Sequence, residues 1–306
     1  MKTQINSAQV VVPCRKFDES LAFFTDTLGF RVEMIFPADA PSVAVIAGYG
    51  VVLRMEKSDE IQPLTLRLSG DFAASELFSP DGVRICLVSD QAAFEIPETR
   101  QELVVSAFDG ADSFSAGRAG MLYRDLIPGR LGGGFVASHI SIPVGGEVPD
   151  YVHFHKVRFQ MLYCVAGWAK LVYENQGAPF VMNAGDCVLQ PPEIRHQVLE
   201  SSDKFEVLEI GCPAIHETYA DHQTPLPNHV VAADVIYGGQ TFIHHAAEKS
   251  GWNASEIAGF ESRDTGILRA TNGLADVRVL RAIADVDFSV CHQDEFLFFF
   301  ILEGNL

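Results

Sequence analysis

The sequence lacks the features that mark several common classes of protein. Its 6 cysteines, Cys14, Cys86, Cys164, Cys187, Cys212 and Cys291, form no Cys-x-x-Cys pair, so no dithiol redox motif or thiolate zinc site is written in it. That scatter is the pattern of a reduced protein, and a cytoplasmic location is the expectation. The apolar run 296–302 falls far short of the roughly 20 residues that cross a bilayer, and Met1 is followed by polar residues rather than an apolar signal core. Basic residues are also scarce: 22 Lys and Arg stand against 40 Asp and Glu, giving a net charge of -18 and a pI near 4.8. Such a field repels phosphate backbones and anionic lipid surfaces, so nucleic acid and membrane are excluded as expected partners and a small molecule remains.

What is present is enough to build cores. Hydrophobic residues make up 48 % of 306 positions, a length that points to two or three domains.

The most informative stretch is 146–200. It contains Gly146, His153, His155, Gln160, Gly167, then Gly185, Asp186, Pro191, Pro192 and His196. Side chains on a strand alternate between faces, so His153 and His155 share one and can grip a single ion. The order Gly, His-x-His, Gln, Gly, followed by Gly, Pro and a last His, closely resembles the two motifs of a cupin. That resemblance implies four ligands facing the inside of a small β-barrel, here His153, His155, Gln160 and His196. Two departures stand out: the first Gly comes one residue early, with Glu147 in its usual place, and Glu193 and Glu200 replace the common Gly and Asn. Gln in place of a Glu ligand makes the set neutral, leaving the ion its full charge. Imidazole suits Fe, Zn, Cu or Ni and an oxygen donor admits Mn, so a divalent transition metal is expected without its identity.

Upstream, residues 8–56 read as strand, helix, then three strands. Asp18 can cap a helix carrying Leu21, Phe23, Phe24 and Leu28 at helical spacing, and Gly29 ends it. The string Asp18-Glu-Ser-Leu-Ala-Phe-Phe-Thr-Asp-Thr-Leu-Gly-Phe30 resembles the first module of the vicinal-oxygen-chelate fold of glyoxalases and bleomycin-resistance proteins. The second module is compressed: 63–68 and 78–88 supply strands with little room for a helix between them. In that family a first-strand His or Gln and a late Glu bind metal, to which Gln9 and, loosely, Glu56 correspond; both read better as ordinary ends of strands. The domain is expected to serve packing, dimerisation or ligand capture.

Pro97, Gly110 and Gly117 mark 96–118 as a linker. Beyond it lies an internal repeat: Ala119-Gly-Met-Leu-Tyr-Arg124-Asp125 and Ala258-Gly-Phe-Glu-Ser-Arg263-Asp264 share four identities. Residues 228–306 thus resemble the opening of a second cupin that keeps at most one ligand-type histidine, His292, and stops before an equivalent of the second motif. Its apolar Phe296, Phe298, Phe299 and Phe300 need cover, which a truncated product would leave unmet, pairing with the first barrel would supply, or strand exchange in a dimer would supply; a homodimer or extended sheet is expected. The repeated Arg and Asp read as a structural ion pair or turn.

The fold class predicted is therefore mainly β: a cupin double-stranded β-helix at 119–227, an N-terminal α+β domain of βαβββ type at 1–95, a linker, and a partial second cupin at 228–306. His139, Tyr151, Arg158 and Tyr163 are near enough in sequence to the ligands to act on a substrate at the barrel mouth. Cys164 and Cys187 read as small core residues, and His216, His222, His244 and His245 as solvated loop positions. Two chemistries fit a neutral three-histidine and glutamine site. One is Fe(II) dioxygenation of a chelated organic substrate, the slightly favoured reading; the other is Lewis-acid isomerisation, cyclisation or elimination with Zn, Mn or Ni. A cupin that binds a ligand or holds an oligomer without turnover is the third class.

Overall fold

A computed structural model describes residues 4–90, 95–108, 113–232 and 234–304. The chain divides into two compact units, 1–95 and 96–306. Among the described residues, no helix is long and apolar enough to cross a membrane.

The first unit runs β1 (Val10–Cys14), α1 (Phe17–Ala22), β2 (Arg31–Phe36), β3 (Val43–Gly48), β4 (Val51–Lys57), β5 (Thr65–Gly70), β6 (Ser75–Phe78) and β7 (Arg84–Ser89). Asp18 falls inside the helix rather than capping it, and Lys16 at the N-cap makes no side-chain cap. The helix is continued by a π-type turn over Phe23–Thr27. One sheet has the order β1-β4-β3-β2 and the other β5-β7-β6. The second module has no described helix between β5 and β6, as its shortness in the sequence requires. Phe17, Phe24, Phe30, Ile46, Leu53, Met55 and Ile85 form the core of this unit. Gln9 is exposed just ahead of β1, and Glu56 accepts a hydrogen bond from Arg54 Nε at 2.5 Å. The two are therefore an exposed strand start and a half of an ion pair.

The second unit is a two-sheet β-barrel. Its strands are β8 (Ser115–Ala116), β9 (Leu122–Asp125), β10 (Val136–Ile142), β11 (Gly146–Glu147), β12 (His153–His155), β13 (Phe159–Ala166), β14 (Trp168–Tyr173), β15 (Phe180–Asn183), β16 (Cys187–Leu189), β17 (His196–Ser201), β18 (Phe205–Cys212) and β19 (Thr218–Ala220). Then come β20 (Ile236–Tyr237), β21 (Gln240–Thr241), β22 (Ile243–His245), β23 (Asn253–Ala254), β24 (Phe260–Asp264), a short α2 (Ile267–Ala270) and β25 (Arg278–Ala282). The larger sheet has the order β22-β16-β13-β18-β10-β9-β8, and the smaller one β15-β14-β17-β12-β19 with β11 also on β17.

Both faces of the larger sheet carry packed apolar side chains, most completely on β16, which is wholly buried. Ile140, Ile142, Cys164, Val188, Phe205 and Val207 point inward against Leu171, Tyr173 and Met182 of the smaller sheet. The alternate residues Ala137, Phe159, Met161, Tyr163, Leu189, Leu208 and Ile210 form an outer core. The C-terminal segment covers that outer face. Phe296, Phe298 and Phe300 pack against it, with Phe296 stacked on Phe135 at 4.6 Å, while Phe299 stays 44 % exposed. The run that motivated the homodimer expectation is thus covered, in its even-numbered residues, within the chain.

The segment assigned to a partial second cupin forms a three-stranded sheet, β23-β24-β25, and extends the barrel through β22, which pairs with β16. His292 lies outside any strand and is exposed. The repeat has a local meaning: Asp125 accepts from the Ile127 amide at 3.0 Å and Asp264 from the Gly266 amide at 2.7 Å, the same two-residue turn in each copy. Arg124 and Arg263 do not pair with these carboxylates; Arg124 donates to the Ala107 carbonyl and Arg263 stacks over Trp252. Residues 96–108 do more than link, since Ile96 and Val104 pack on the outer core.

Candidate metal centre and its cavity

Strand geometry assembles the centre. His153 and His155 share a face of β12, and His153 stands directly opposite His196 of β17. One ring nitrogen from each of the three lies within 4.8 Å of the others, with ring centroids of His153 and His196 4.2 Å apart. Each Nδ1 is engaged elsewhere: that of His153 donates to the Tyr151 carbonyl at 2.8 Å, that of His196 to the Ile194 carbonyl at 3.0 Å, and that of His155 is bonded to Thr218 Oγ1 at 2.8 Å. This fixes the ring orientations and, in His153 and His196, leaves Nε2 as the lone pair facing the centre. Tyr173 stacks on His196 at 5.4 Å. The turn before His196 explains one departure from the motif: Glu193 adopts φ 61, a left-handed conformation that glycine takes more readily.

Burial holds all three imidazoles below their ordinary titration range. For His153 the Arg118 charge adds to it, and for His155 and His196 the neighbouring histidines do. The neutral form that binds metal is therefore the resting form.

Gln160 reaches the same cavity from β13 in the opposite sheet. Its Nε2 donates to Glu209 Oε1 at 2.5 Å, and its Oε1 accepts from Gln190 Nε2 at 3.0 Å. Gln190 in turn accepts from the Tyr173 hydroxyl at 2.5 Å. One lone pair of the Gln160 oxygen stays free for an ion. The neutrality inferred for the ligand set is accordingly offset by Glu209, whose carboxylate also lines the cavity. A Glu at position 160 would set two carboxylates against each other, so the amide is what this neighbour requires.

The donor set fits a divalent transition metal: three neutral imidazoles and an amide oxygen, with ring orientations fixed from behind. The cavity beside it measures about 260 Å³. Its walls are apolar, from Ile140, Ile142, Leu162, Leu171, Met182 and Val207, and its polar groups beyond the ligands include Arg118, Gln190, Glu209 and His216.

The other predicted site residues are placed differently. His139 and Tyr163 lie on the outer face of the larger sheet; strand alternation puts Ile140 and Leu162 inward instead. His139 Nε2 pairs with Glu206 at 2.9 Å under Phe114 and Phe300. Arg158 pairs with Glu295 at 2.8 Å, away from the histidines. Of the four, Tyr151 alone stays beside the centre, through the carbonyl that holds His153 and a ring 6.0 Å from that of His153; the residue is 45 % exposed and its ring lies 5.8 Å from His222. His216, expected in a solvated loop, lines the cavity 5.4 Å from His155. His244 and His245 sit on β22 rather than in a loop.

Sequence reasoning did not find Arg118, Asp150, Gln190 or Glu209. Glu209 alone left a signal, as a charged residue inside the apolar strand 205–212. Asp150 has no exposed side-chain surface; it accepts from Arg118 Nη1 at 2.8 Å and from the Val198 amide at 3.0 Å.

Fold and site together define the second unit as a cupin-type barrel carrying a three-histidine group able to hold a metal ion, joined to a glyoxalase-like α+β unit. No family model matches the chain, and no curated protein matches it. Among solved structures it is similar to an RmlC-like cupin from Shewanella frigidimarina, with 22 % identity over 36 % of this chain and 94 % of the other at a TM-score of 0.28. It is similar to oxalate decarboxylase of Bacillus subtilis, with 16 % identity over 57 % of each chain at a TM-score of 0.37. A third similarity is to lactoylglutathione lyase from Agrobacterium tumefaciens, with 10 % identity over 30 % of this chain and all of the other at a TM-score of 0.24.

Proposed function

We infer that the second unit is a metal-dependent enzyme acting on a small oxygen-bearing organic substrate. The observation that carries this is the convergence of three neutral imidazoles, each held from behind through Nδ1, at the end of an apolar-walled cavity. His153, His155 and His196 would hold the ion, with Gln160 as the fourth donor. A bound ion there would supply either activation of dioxygen beside a chelated substrate or Lewis-acid polarisation of a carbonyl or hydroxyl.

The protein's own groups serve both. The apolar walls keep bulk water from the reacting atoms and accept the substrate's hydrocarbon part. Gln190 and Tyr173 hold the Gln160 amide in place. The dioxygenase reading is supported by the neutral three-histidine and glutamine donor set, in a cavity that also carries Arg118, Tyr123, Arg130 and His216. The isomerase, cyclase or lyase reading rests on Glu209, a carboxylate able to take a proton from a substrate carbon or hydroxyl.

Elemental analysis of protein purified without added metal, paired with oxygen uptake on diketones, catechols and keto acids, separates the two. Iron with substrate-dependent uptake supports the first; zinc, nickel or manganese without uptake supports the second. Replacing both His153 and His196 with Ala is expected to abolish tight metal binding while the fold is retained by circular dichroism. Stoichiometric metal in that folded double variant would refute the assignment of the centre.

A further inference from the structure

The guanidinium of Arg118 is built into the histidine centre in a way that the metal-site reading does not use. Its Nη1 donates to Asp150 Oδ1 at 2.8 Å, and its Nη2 lies 2.7 Å from His153 Nε2. The Asp150 side chain is fully buried and is itself fixed, by the Val198 amide on Oδ2, while Gln197 Nε2 donates to the Asp150 backbone carbonyl at 2.9 Å. The arginine therefore cannot drift away at no cost.

Since His153 Nδ1–H donates to the Tyr151 carbonyl, its Nε2 is a bare lone pair. Arginine has only donors and does not give up its proton, so the Nη2–H hydrogen bonds to that lone pair. An ion bound by His153 needs the same lone pair. Ion and arginine thus compete for one nitrogen, and a bound ion frees an Nη2–H of the Arg118 side chain, which is 37 % exposed and which Asp150 keeps beside the centre.

Water can take this hydrogen bond at the exposed guanidinium, and an acceptor on a molecule that fills the cavity would displace it. That acceptor stands between a guanidinium and a divalent ion, so a negative oxygen is favoured over a neutral one. Glu209, on the Gln160 side, repels an anion and directs it toward Arg118. The wall of Ile140, Ile142, Leu162 and Leu171 suits an apolar remainder.

We propose that Arg118 is the anion anchor of this site, and that the substrate is an apolar molecule bearing a carboxylate or similar oxyanion, which it presents to Arg118 beside the ion. This rests on the metal-centre reading above. The test uses the full chain loaded with Co(II), whose visible spectrum reports the centre, and benzoate against benzamide as probes. Arg118→Gln alone would strand a buried Asp150 carboxylate, so the variant of choice is Arg118→Gln with Asp150→Asn, and Arg118→Lys is the charge-retaining control.

The wild type is expected to bind benzoate at least about tenfold tighter than benzamide, the double variant to lose that preference, and Arg118→Lys to keep part of it. The double variant is also expected to hold Co(II) about tenfold tighter than the wild type, because no arginine competes for His153. A wild type that takes up Co(II) yet shows no preference for benzoate overturns the proposal while leaving the metal centre standing, as does a folded double variant that keeps the preference. Failure of the wild type to take up Co(II) refutes the metal centre and the proposal together.

Discussion

Asp186 connects the barrel to the segment that follows it. Its side chain is 5 % exposed and within 3.4 Å of His244 Nε2, and it accepts from the Asn183 amide and the Ala247 amide, each at 2.8 Å. The first closes the turn between β15 and β16, and the second fixes the chain just after β22. Replacing Asp186 with Ala leaves two backbone donors without that acceptor. Hydrogen bonds to a charged acceptor contribute about 1.5–3 kcal/mol each, so a loss of roughly 3–6 kcal/mol is expected if water reaches neither amide, and about half that if it reaches one. Asp186→Asn retains a single acceptor oxygen and falls between. Urea unfolding followed by tryptophan fluorescence measures this, because Trp168 lies in the barrel and Trp252 just beyond β22. Removal of the carboxylate also takes away the interaction that opposes burial at His244, whose titration lies below the ordinary imidazole value. The His244 value should therefore fall further, which NMR titration can follow. Asp186→Ala within 0.5 kcal/mol of wild type, with His244 unmoved, would refute the account of how this segment is held.

Acid stability follows from the centre. His153 and His196 sit below the ordinary imidazole value, so as pH falls from about 6.5 toward their folded values only the unfolded chain takes up their protons. Stability is then full above that pH and declines below it, by at most about 1.4 kcal/mol per pH unit for each histidine; urea midpoints at pH 7.5 and 5.5 that do not decline would refute it. Thiol labelling should be sharply graded. Burial pushes Cys14 and Cys164 up to about 12, Cys212 up to about 11 and Cys187 further still, so a disulfide reagent at pH 8 should modify exposed Cys291 at once and these four only after unfolding. Tyr163→Phe should leave metal affinity within about twofold of wild type, since the ring lies in the outer core and fully formed centres respond mainly to groups that touch their ligands; a tenfold change would place Tyr163 inside after all.

Local pattern alone determined a good part of this protein. Two histidines separated by one residue share a strand face whatever surrounds them, and the turn residues Gly185, Pro191 and Pro192 set β16 and β17 so that His196 meets them. The helix carrying Phe24 and Leu28 was legible because its apolar spacing has a helical period, although its start was not: Asp18 lies within the first turn. What the sequence could not settle was which face of a strand is the inside when both are apolar. On β13 both faces carry apolar residues, so Tyr163 could be drawn toward the centre on paper, whereas on β10 Val136, Ile140 and Ile142 already share the face opposite to His139; the C-terminal phenylalanines make the face of His139 and Tyr163 a second core. Arg118, Asp150 and Glu209 lie 35, 32 and 49 residues from the side chains they bond. No periodicity links such positions. Strand register and barrel closure bring them together, and with them the charges that govern how an ion and an anion would be held.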